Sequence, residues 1–111
     1  MRRITPNPYR NDSEIREFSQ VIESAPEYRV DFSLTATAKG ETCDSVTWES
    51  KGSQSMTITN KTLASSVASA NASSANSGYA MIKVVATFSD GTTDIQYIEV
   101  NVHNPEYRIY G

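Results

Sequence analysis

Residues 76–102 read NSGYAMIKVVATFSDGTTDIQYIEVNV, and this stretch decides the fold of the 111-residue chain. Two runs rich in aromatic and β-branched residues, 79–88 and 92–102, flank the sequence Ser89-Asp90-Gly91. Such runs are typical of strands, and an Asp-Gly pair between them predicts a β-hairpin. The rest of the chain then has to cover one face of this hairpin.

Within the predicted hairpin, alternate residues are expected to point into the core. The inward residues are Ala80, Ile82, Val84, Ala86 and Phe88 on the first strand and Ile98, Val100 and Val102 on the second. The opposite faces carry Tyr79, Met81, Lys83 and Val85, then Ile95, Tyr97, Glu99 and Asn101. The second strand is thus apolar on both faces, and the switch between Ile95 and Ile98 predicts a β-bulge.

Three segments upstream are also predicted to be strands. Residues 28–38 alternate apolar and polar side chains throughout, from Tyr28 to Ala38, as expected for a half-buried strand. Residues 45–49 contain the only tryptophan, Trp48, which we expect to fill the core rather than to bind a ligand. Residues 55–59 place two apolar side chains on one face and predict another short strand.

Two segments admit more than one interpretation. Residues 60–78 are rich in serine and alanine, as in a flexible linker, yet 67–75 alternate and precede the turn sequence Asn76-Ser77-Gly78. We predict a strand over 67–75, paired with the hairpin through that turn, and keep the linker as the alternative. Apolar residues within 13–24 have helical spacing, but a sandwich needs a first strand there, so we adopt a strand over 19–23.

The predicted organisation is an N-terminal arm at residues 1–17, a sandwich at 18–103 and a C-terminal extension at 104–111. Pro6 and Pro8 exclude a helix or a central strand in the arm. About seven short strands, regular turn signals and an early tryptophan predict an all-β, immunoglobulin-like β-sandwich. The single cysteine, Cys43, excludes an intrachain disulfide and fits folding in a reducing cytoplasm.

Composition argues against several classes of function. The net charge is −3, from 10 basic and 13 acidic residues without a dense basic face, so we expect no nucleic-acid binding. No apolar run is long enough for a membrane span, so we expect no membrane-spanning segment. No apolar run follows Met1-Arg2-Arg3, so we expect no secretory signal.

Catalytic and metal-binding patterns are also missing from the sequence. His103 is the only histidine, and it lies beyond the last apolar position of the hairpin. Cys43 and His103 alone are too few ligands for zinc, and Asp90 beside Gly91 is turn chemistry rather than a calcium site. No glycine spacing matches a phosphate loop. We therefore expect a protein without enzymatic activity, bound metal or cofactor.

The runs SVTWES and GYAMIKVVATFSDGTTDIQYIEVNV resemble bacterial Ig-like domains of the invasin/intimin type. KTLASS and SSANSGYAMIKVVATFSDG, followed by VNVHNPEY, resemble small Ig-like proteins from the structural regions of tailed bacteriophages more closely still. The resemblance covers about residues 21–105. The chain departs from these families in its serine- and alanine-rich strand, its proline-containing arm and its tyrosine-rich tail.

The phage resemblance implies a structural virion protein, assembled in the bacterial host cytoplasm. The role that it favours is a head decoration or head-fibre component, held as an oligomer or in a lattice by major capsid or tail proteins. A tail component, or a host-surface or carbohydrate-binding adhesion module, is the alternative. The terminal extensions are expected to make the contacts, through the apolar and aromatic residues Ile4, Tyr9, Tyr107, Ile109 and Tyr110.

Overall fold

The computed structural model describes residues 2–6, 16–52 and 54–104. These residues form eight strands and one short helix. The elements are β1 (Arg2–Ile4), β2 (Arg16–Val21), β3 (Glu27–Asp31), α1 (Ser33–Lys39), β4 (Cys43–Lys51), β5 (Thr57–Ala64), β6 (Val67–Ser73), β7 (Gly78–Phe88) and β8 (Thr93–His103).

The strands form two sheets, each of four strands, packed face to face around one core. The first sheet has the order β1-β3-β6-β5, and the second has the order β2-β8-β7-β4. This division matches the immunoglobulin fold, with β3, β6 and β5 in the places of its strands B, E and D, and β4, β7 and β8 in the places of C, F and G. The predicted all-β, immunoglobulin-like sandwich is confirmed.

The β7–β8 hairpin is confirmed, including its turn. The amide of Gly91 donates to the carbonyl of Phe88 (2.9 Å), and the amide of Phe88 donates to the carbonyl of Thr92 (2.9 Å). Gly91 has φ +86°, which glycine adopts without strain, as three-residue hairpin loops require. All eight predicted inward residues are buried: Ala80, Ile82, Val84, Ala86, Phe88, Ile98, Val100 and Val102.

The predicted bulge in the second strand of the hairpin is wrong. The register of β7 and β8 runs without a shift from Gly78 opposite Val102 to Thr87 opposite Thr93. Ile95 and Tyr97 therefore keep their place on the outer face, and Asp94 and Gln96 take the inward positions near the turn. The alternation never switches phase; the inward residues become polar where the strand leaves the core.

The serine- and alanine-rich segment forms strand β6, so the strand interpretation is confirmed over most of its predicted length. Its inward residues Ala68, Ala70 and Ala72 are at most 2% exposed. The predicted partner is wrong, because β6 pairs with β3 and β5 and lies in the sheet opposite β7. Asn76-Ser77-Gly78 therefore carries the chain from one sheet to the other.

The long strand predicted over residues 28–38 ends at Asp31, and helix α1 follows. The Asp31 carboxylate accepts a hydrogen bond from the Ser33 amide (2.9 Å), which turns the chain out of the sheet. Gly40, with φ 66°, ends the helix, and its amide and the Glu41 amide bond to the carbonyls of Thr37 and Ala36. The alternation of apolar and polar residues in 33–38 therefore does not indicate a strand.

Both the arm and the first strand differ from their predicted bounds. Residues 2–4, assigned to the arm, form β1 and pair in parallel with β3. The strand predicted over 19–23 corresponds to β2, which begins at Arg16, ends at Val21 and pairs in parallel with β8. The helix alternative is therefore wrong for 16–21, and the sandwich includes residues that the predicted boundary at 17 had excluded.

A buried polar network links the two sheets near the C-terminal end of β2. The Tyr28 hydroxyl donates to the side-chain oxygen of Gln20 (2.5 Å), and the Gln20 amide donates to the carbonyl of Ala72 (3.1 Å). Tyr28 is 1% exposed and Gln20 is 4% exposed. Because buried polar groups need such partners, this network fixes how β2 lies against the first sheet.

Replacing Asp31 with asparagine is expected to lower the free energy of unfolding by about 0.5–1 kcal/mol at pH 7. Burial raises the pKa of Asp31, but hydrogen bonds from Ser33 and the Arg3 guanidinium (2.6 Å) outweigh it, so the pKa lies below its usual value. A lowered pKa stabilises the fold above the unfolded-state value of about 3.9, and this contribution is lost as the pH falls further.

Urea unfolding of wild type and Asp31→Asn at pH 7 and near pH 3 tests this prediction. The difference between the two proteins should shrink toward zero at the lower pH. A difference of the same size at both pH values would contradict an electrostatic origin.

Candidate interaction face

The outer face of the second sheet carries most of the exposed bulky apolar side chains in the described residues. In the described part of the chain, four large hydrophobic residues are more than a third exposed. Three of them lie on this face: Tyr79 (37%), Ile95 (43%) and Tyr97 (37%). Half-buried Met81 and Val85 lie between them on β7. We call the surface formed by Tyr79, Met81, Val85, Ile95 and Tyr97 the outer apolar face.

The register of the sheet arranges this face in rows that run across the strands. Val85 lies opposite Thr47 on β4 and opposite Ile95 on β8. In the next row, Lys83 lies between Glu49 and Tyr97. Because cross-strand neighbours are about 5 Å apart, each row forms a continuous contact surface.

Charged residues surround the apolar ones. The third row contains Lys51, Met81, Glu99 and Glu17, one from each strand of the sheet. Positive charge therefore lies on the β4 side of the row and negative charge on the β8 and β2 side.

Hydrogen bonds hold several of these polar groups in place. The Lys51 ammonium lies 2.9 Å from a carboxylate oxygen of Glu49 and lowers the pKa of that carboxyl group. The Tyr79 hydroxyl donates to Glu99 (2.9 Å), and this bond raises the pKa of Tyr79. Asn101 donates to Glu17 (2.8 Å). The face is thus an ordered surface on which apolar side chains lie beside charged ones, including Lys83 between Met81 and Val85 on β7.

Of the residues predicted to contact a partner, the described residues include only Ile4. It is 4% exposed and belongs to the hydrophobic core, so it is not available at the surface. The structure corrects that expectation because β1 joins the first sheet and turns Ile4 inward. Tyr9, Tyr107, Ile109 and Tyr110 lie outside the described residues, and their role stays a prediction.

Cys43 and Asp90 lie near the β7–β8 turn, at one end of the second sheet, whereas His103 lies at the other end. His103 ends β8, and its carbonyl accepts a hydrogen bond from Ile22 (3.0 Å). Burial raises the pKa of the Cys43 thiol at the start of β4. Asp90 accepts hydrogen bonds from the Thr92 amide and hydroxyl, which is turn chemistry and lowers the pKa of its carboxyl group.

Trp48 takes the inward side of β4, half-buried against the core, as expected for a core residue. Over the described ranges, no group of three or more histidine, cysteine, aspartate or glutamate side chains is placed to hold a metal ion. The helical segment of that part of the chain is too short and too polar to cross a membrane.

A shallow groove of about 240 Å³ on the outer face of the first sheet is a second surface feature. It is lined by Arg3, Arg29, Thr62, Ala64, Val67 and Ser69. Both arginines are already paired, Arg3 with Asp31 (2.6 Å) and Arg29 with Glu27 (3.1 Å). The groove therefore has no excess positive charge with which to attract an anion.

The sequence contained a signal for the outer apolar face. The second hairpin strand has apolar residues on both faces, but the switch between Ile95 and Ile98 predicts a bulge and not a second apolar surface. An unbroken strand with apolar residues on both faces has one face in the core and one that needs another partner.

Comparisons with known proteins extend to the fold only. No protein-family model matches the chain. No curated protein matches it either.

Solved structures do match it. The cysteine protease inhibitor EhICP2 from Entamoeba histolytica superposes with a TM-score of 0.54 at 9% identity, covering 92% of this chain and 94% of that one. The PKD domain of the KIAA 1837 protein gives a TM-score of 0.49 at 15% identity, covering 84% of each chain. At such identities the first similarity shows a shared fold and no shared activity. With the strand order of its two sheets, the chain is an immunoglobulin-like β-sandwich.

Proposed function

We propose that this chain is a non-enzymatic structural protein of a tailed-bacteriophage virion, a head decoration or head-fibre component that works through protein–protein contacts. The virion setting rests on the resemblance of KTLASS, of residues 73–91 and of VNVHNPEY to phage Ig-like proteins. The observation that carries the contact function is the outer apolar face, where Tyr79, Ile95 and Tyr97 are each 37–43% exposed.

The outer apolar face has the properties of a protein-binding surface. Tyrosine provides a large contact area with a polar tip and is enriched in the residues that dominate binding energy. The side chains project from the paired strands β7 and β8, which lie in the middle of a sheet, so little ordering is needed on binding. Clustered exposed apolar residues with a polar margin are typical of interfaces.

The terminal extensions complete the proposal. Tyr9, Tyr107, Ile109 and Tyr110 would attach the domain to its capsid or tail partner, and the outer apolar face would make a separate contact. The core position of Ile4 changes how this is tested, because deleting the whole arm would also remove a buried side chain. Deleting residues 105–111 leaves every described strand intact and is the cleaner experiment.

Replacing Ile95 with aspartate is expected to lower incorporation into phage particles at least tenfold, because a charge would be buried in the contact. Leu34→Asp is the matched control, since Leu34 is exposed to the same degree (42% against 43% for Ile95) but lies on α1. Particles assembled with each variant are purified by sedimentation, and the bound protein is quantified. Equal incorporation of both variants would contradict a role for the face.

Deleting residues 105–111 is expected to abolish particle binding while the melting temperature changes by less than a few degrees. If the truncated protein still co-sediments with particles as wild type does, the extension has no part in attachment.

A further inference from the structure

We propose that the partner at the outer apolar face is a second copy of this chain, packed about a two-fold axis parallel to the strands. This inference rests on the proposed function, in that it takes the face to be an interface, and it names the occupant. The argument comes from the register of the sheet and from the placement of its charges.

Such an axis, between β7 and β8, places each β7 side chain against the β8 side chain of the same row in the second copy. Val85 then faces Ile95 of the second copy, and two branched apolar side chains meet at the centre of one row. In the next row, Lys83 faces Tyr97 of the second copy, where an ammonium over an aromatic ring is favourable. In the two remaining rows, Met81 faces Glu99 and Tyr79 faces Asn101 of the second copy. Two-fold symmetry repeats each of these contacts.

The same two-fold rotation also brings opposite charges together at the margin of the face. Lys51 on β4 and Glu17 on β2 lie at opposite ends of one row. The axis exchanges the two sides of the sheet, so Lys51, which also contacts Glu49 of its own chain (2.9 Å), faces Glu17 of the second copy, and this contact forms twice.

The size of the face predicts a weak dimer. Four strands about 4.8 Å apart, over about nine residues of about 3.4 Å each, give a patch of roughly 600 Å² per copy. A standard interface buries about 800 Å² per partner, so this one belongs with weak, transient contacts. We expect a dissociation constant on the order of 10–100 µM, which becomes effective where copies are concentrated on a particle.

Sedimentation velocity of the full chain from about 5 µM to about 1 mM tests the inference. Wild type is expected to shift from monomer to dimer, whereas Ile95→Asp stays monomeric and Leu34→Asp behaves as wild type. A wild-type protein that is monomeric up to about 1 mM, or an assembly that Ile95→Asp leaves unchanged, would overturn it.

Charge reversal tests the direction of the axis. Lys51→Glu and Glu17→Lys are each expected to weaken dimerisation about tenfold, and the double variant is expected to recover it, because the two charges meet across the axis. Circular dichroism of each variant checks the fold. If the double variant dimerises no better than the single ones, this arrangement is excluded.

Different experimental results would reject the second copy as partner and the proposed virion role. Monomeric wild type together with loss of particle incorporation in Ile95→Asp would reject the second copy and keep the face as a contact with another virion protein. A normal dimer that never joins particles would reject the virion role and keep the interface.

Discussion

Replacing Phe88 with alanine is expected to lower the free energy of unfolding by about 3–5 kcal/mol, the usual cost of removing a buried aromatic ring. Phe88 is 1% exposed at the end of β7. Its ring packs edge to face on Phe32, with 6.4 Å between centroids, and the Lys39 ammonium lies 5.5 Å from the ring centre. Phe88 thus joins the hairpin to both ends of α1, and the cavity would open where the helix covers the core.

Urea unfolding followed by circular dichroism measures this effect. Phe88→Leu retains most of the buried volume and is expected to cost less than half as much, so it stays measurable if the alanine variant does not fold. Tyr97→Ala is the control, because it removes an aromatic side chain from the outer face and should change stability by less than about 1 kcal/mol. Equal losses at Phe88 and Tyr97 would contradict the assignment of the two faces.

Replacing Ala68 with leucine is expected to destabilise the fold by about 1–3 kcal/mol, in spite of the added apolar surface. Ala68 is fully buried on β6 and belongs to the core between the two sheets. A closely packed interior has no space for the extra carbon atoms, so side chains or strands must shift. The small side chains of β6 would therefore be required by the distance between the sheets.

Ala64→Leu provides the matched control for this experiment. The substitution is chemically identical, but Ala64 is exposed on the neighbouring strand β5. We expect its free energy of unfolding to stay within about 0.5 kcal/mol of wild type. If Ala68→Leu were as stable as wild type, the core beside β6 would have to contain unfilled space.

The sequence was informative where alternation is sustained and bounded by turn residues. The β7–β8 hairpin is the clearest case, because Asp90-Gly91 and two long alternating runs agree on one structure. Strand β6 could be found as well, since Ala68, Ala70 and Ala72 keep the same period although they are small. In both cases the information is local, and local geometry sets the period of side chains along a strand.

Helix α1 shows where local patterns are ambiguous. In the sequence SLTATAK, leucine and alanine alternate with threonine, which matches a strand, yet seven residues are too few to display a helical period. The signals for its start and end were present in Asp31 and Gly40. Only the hydrogen bonds that these two residues make show that they mark the ends of a helix.

By itself the sequence determined that the chain is an all-β sandwich, and it determined which side of the β7–β8 hairpin is buried, because both follow from a period that neighbouring residues fix. The tertiary structure alone decided that β6 joins the sheet opposite β7, that Ile4 lies in the core, and that Ile95 and Tyr97 form one surface with residues of β7 and β4. Those features depend on pairing between segments far apart in the chain, and alternation within one segment does not encode which partner it meets.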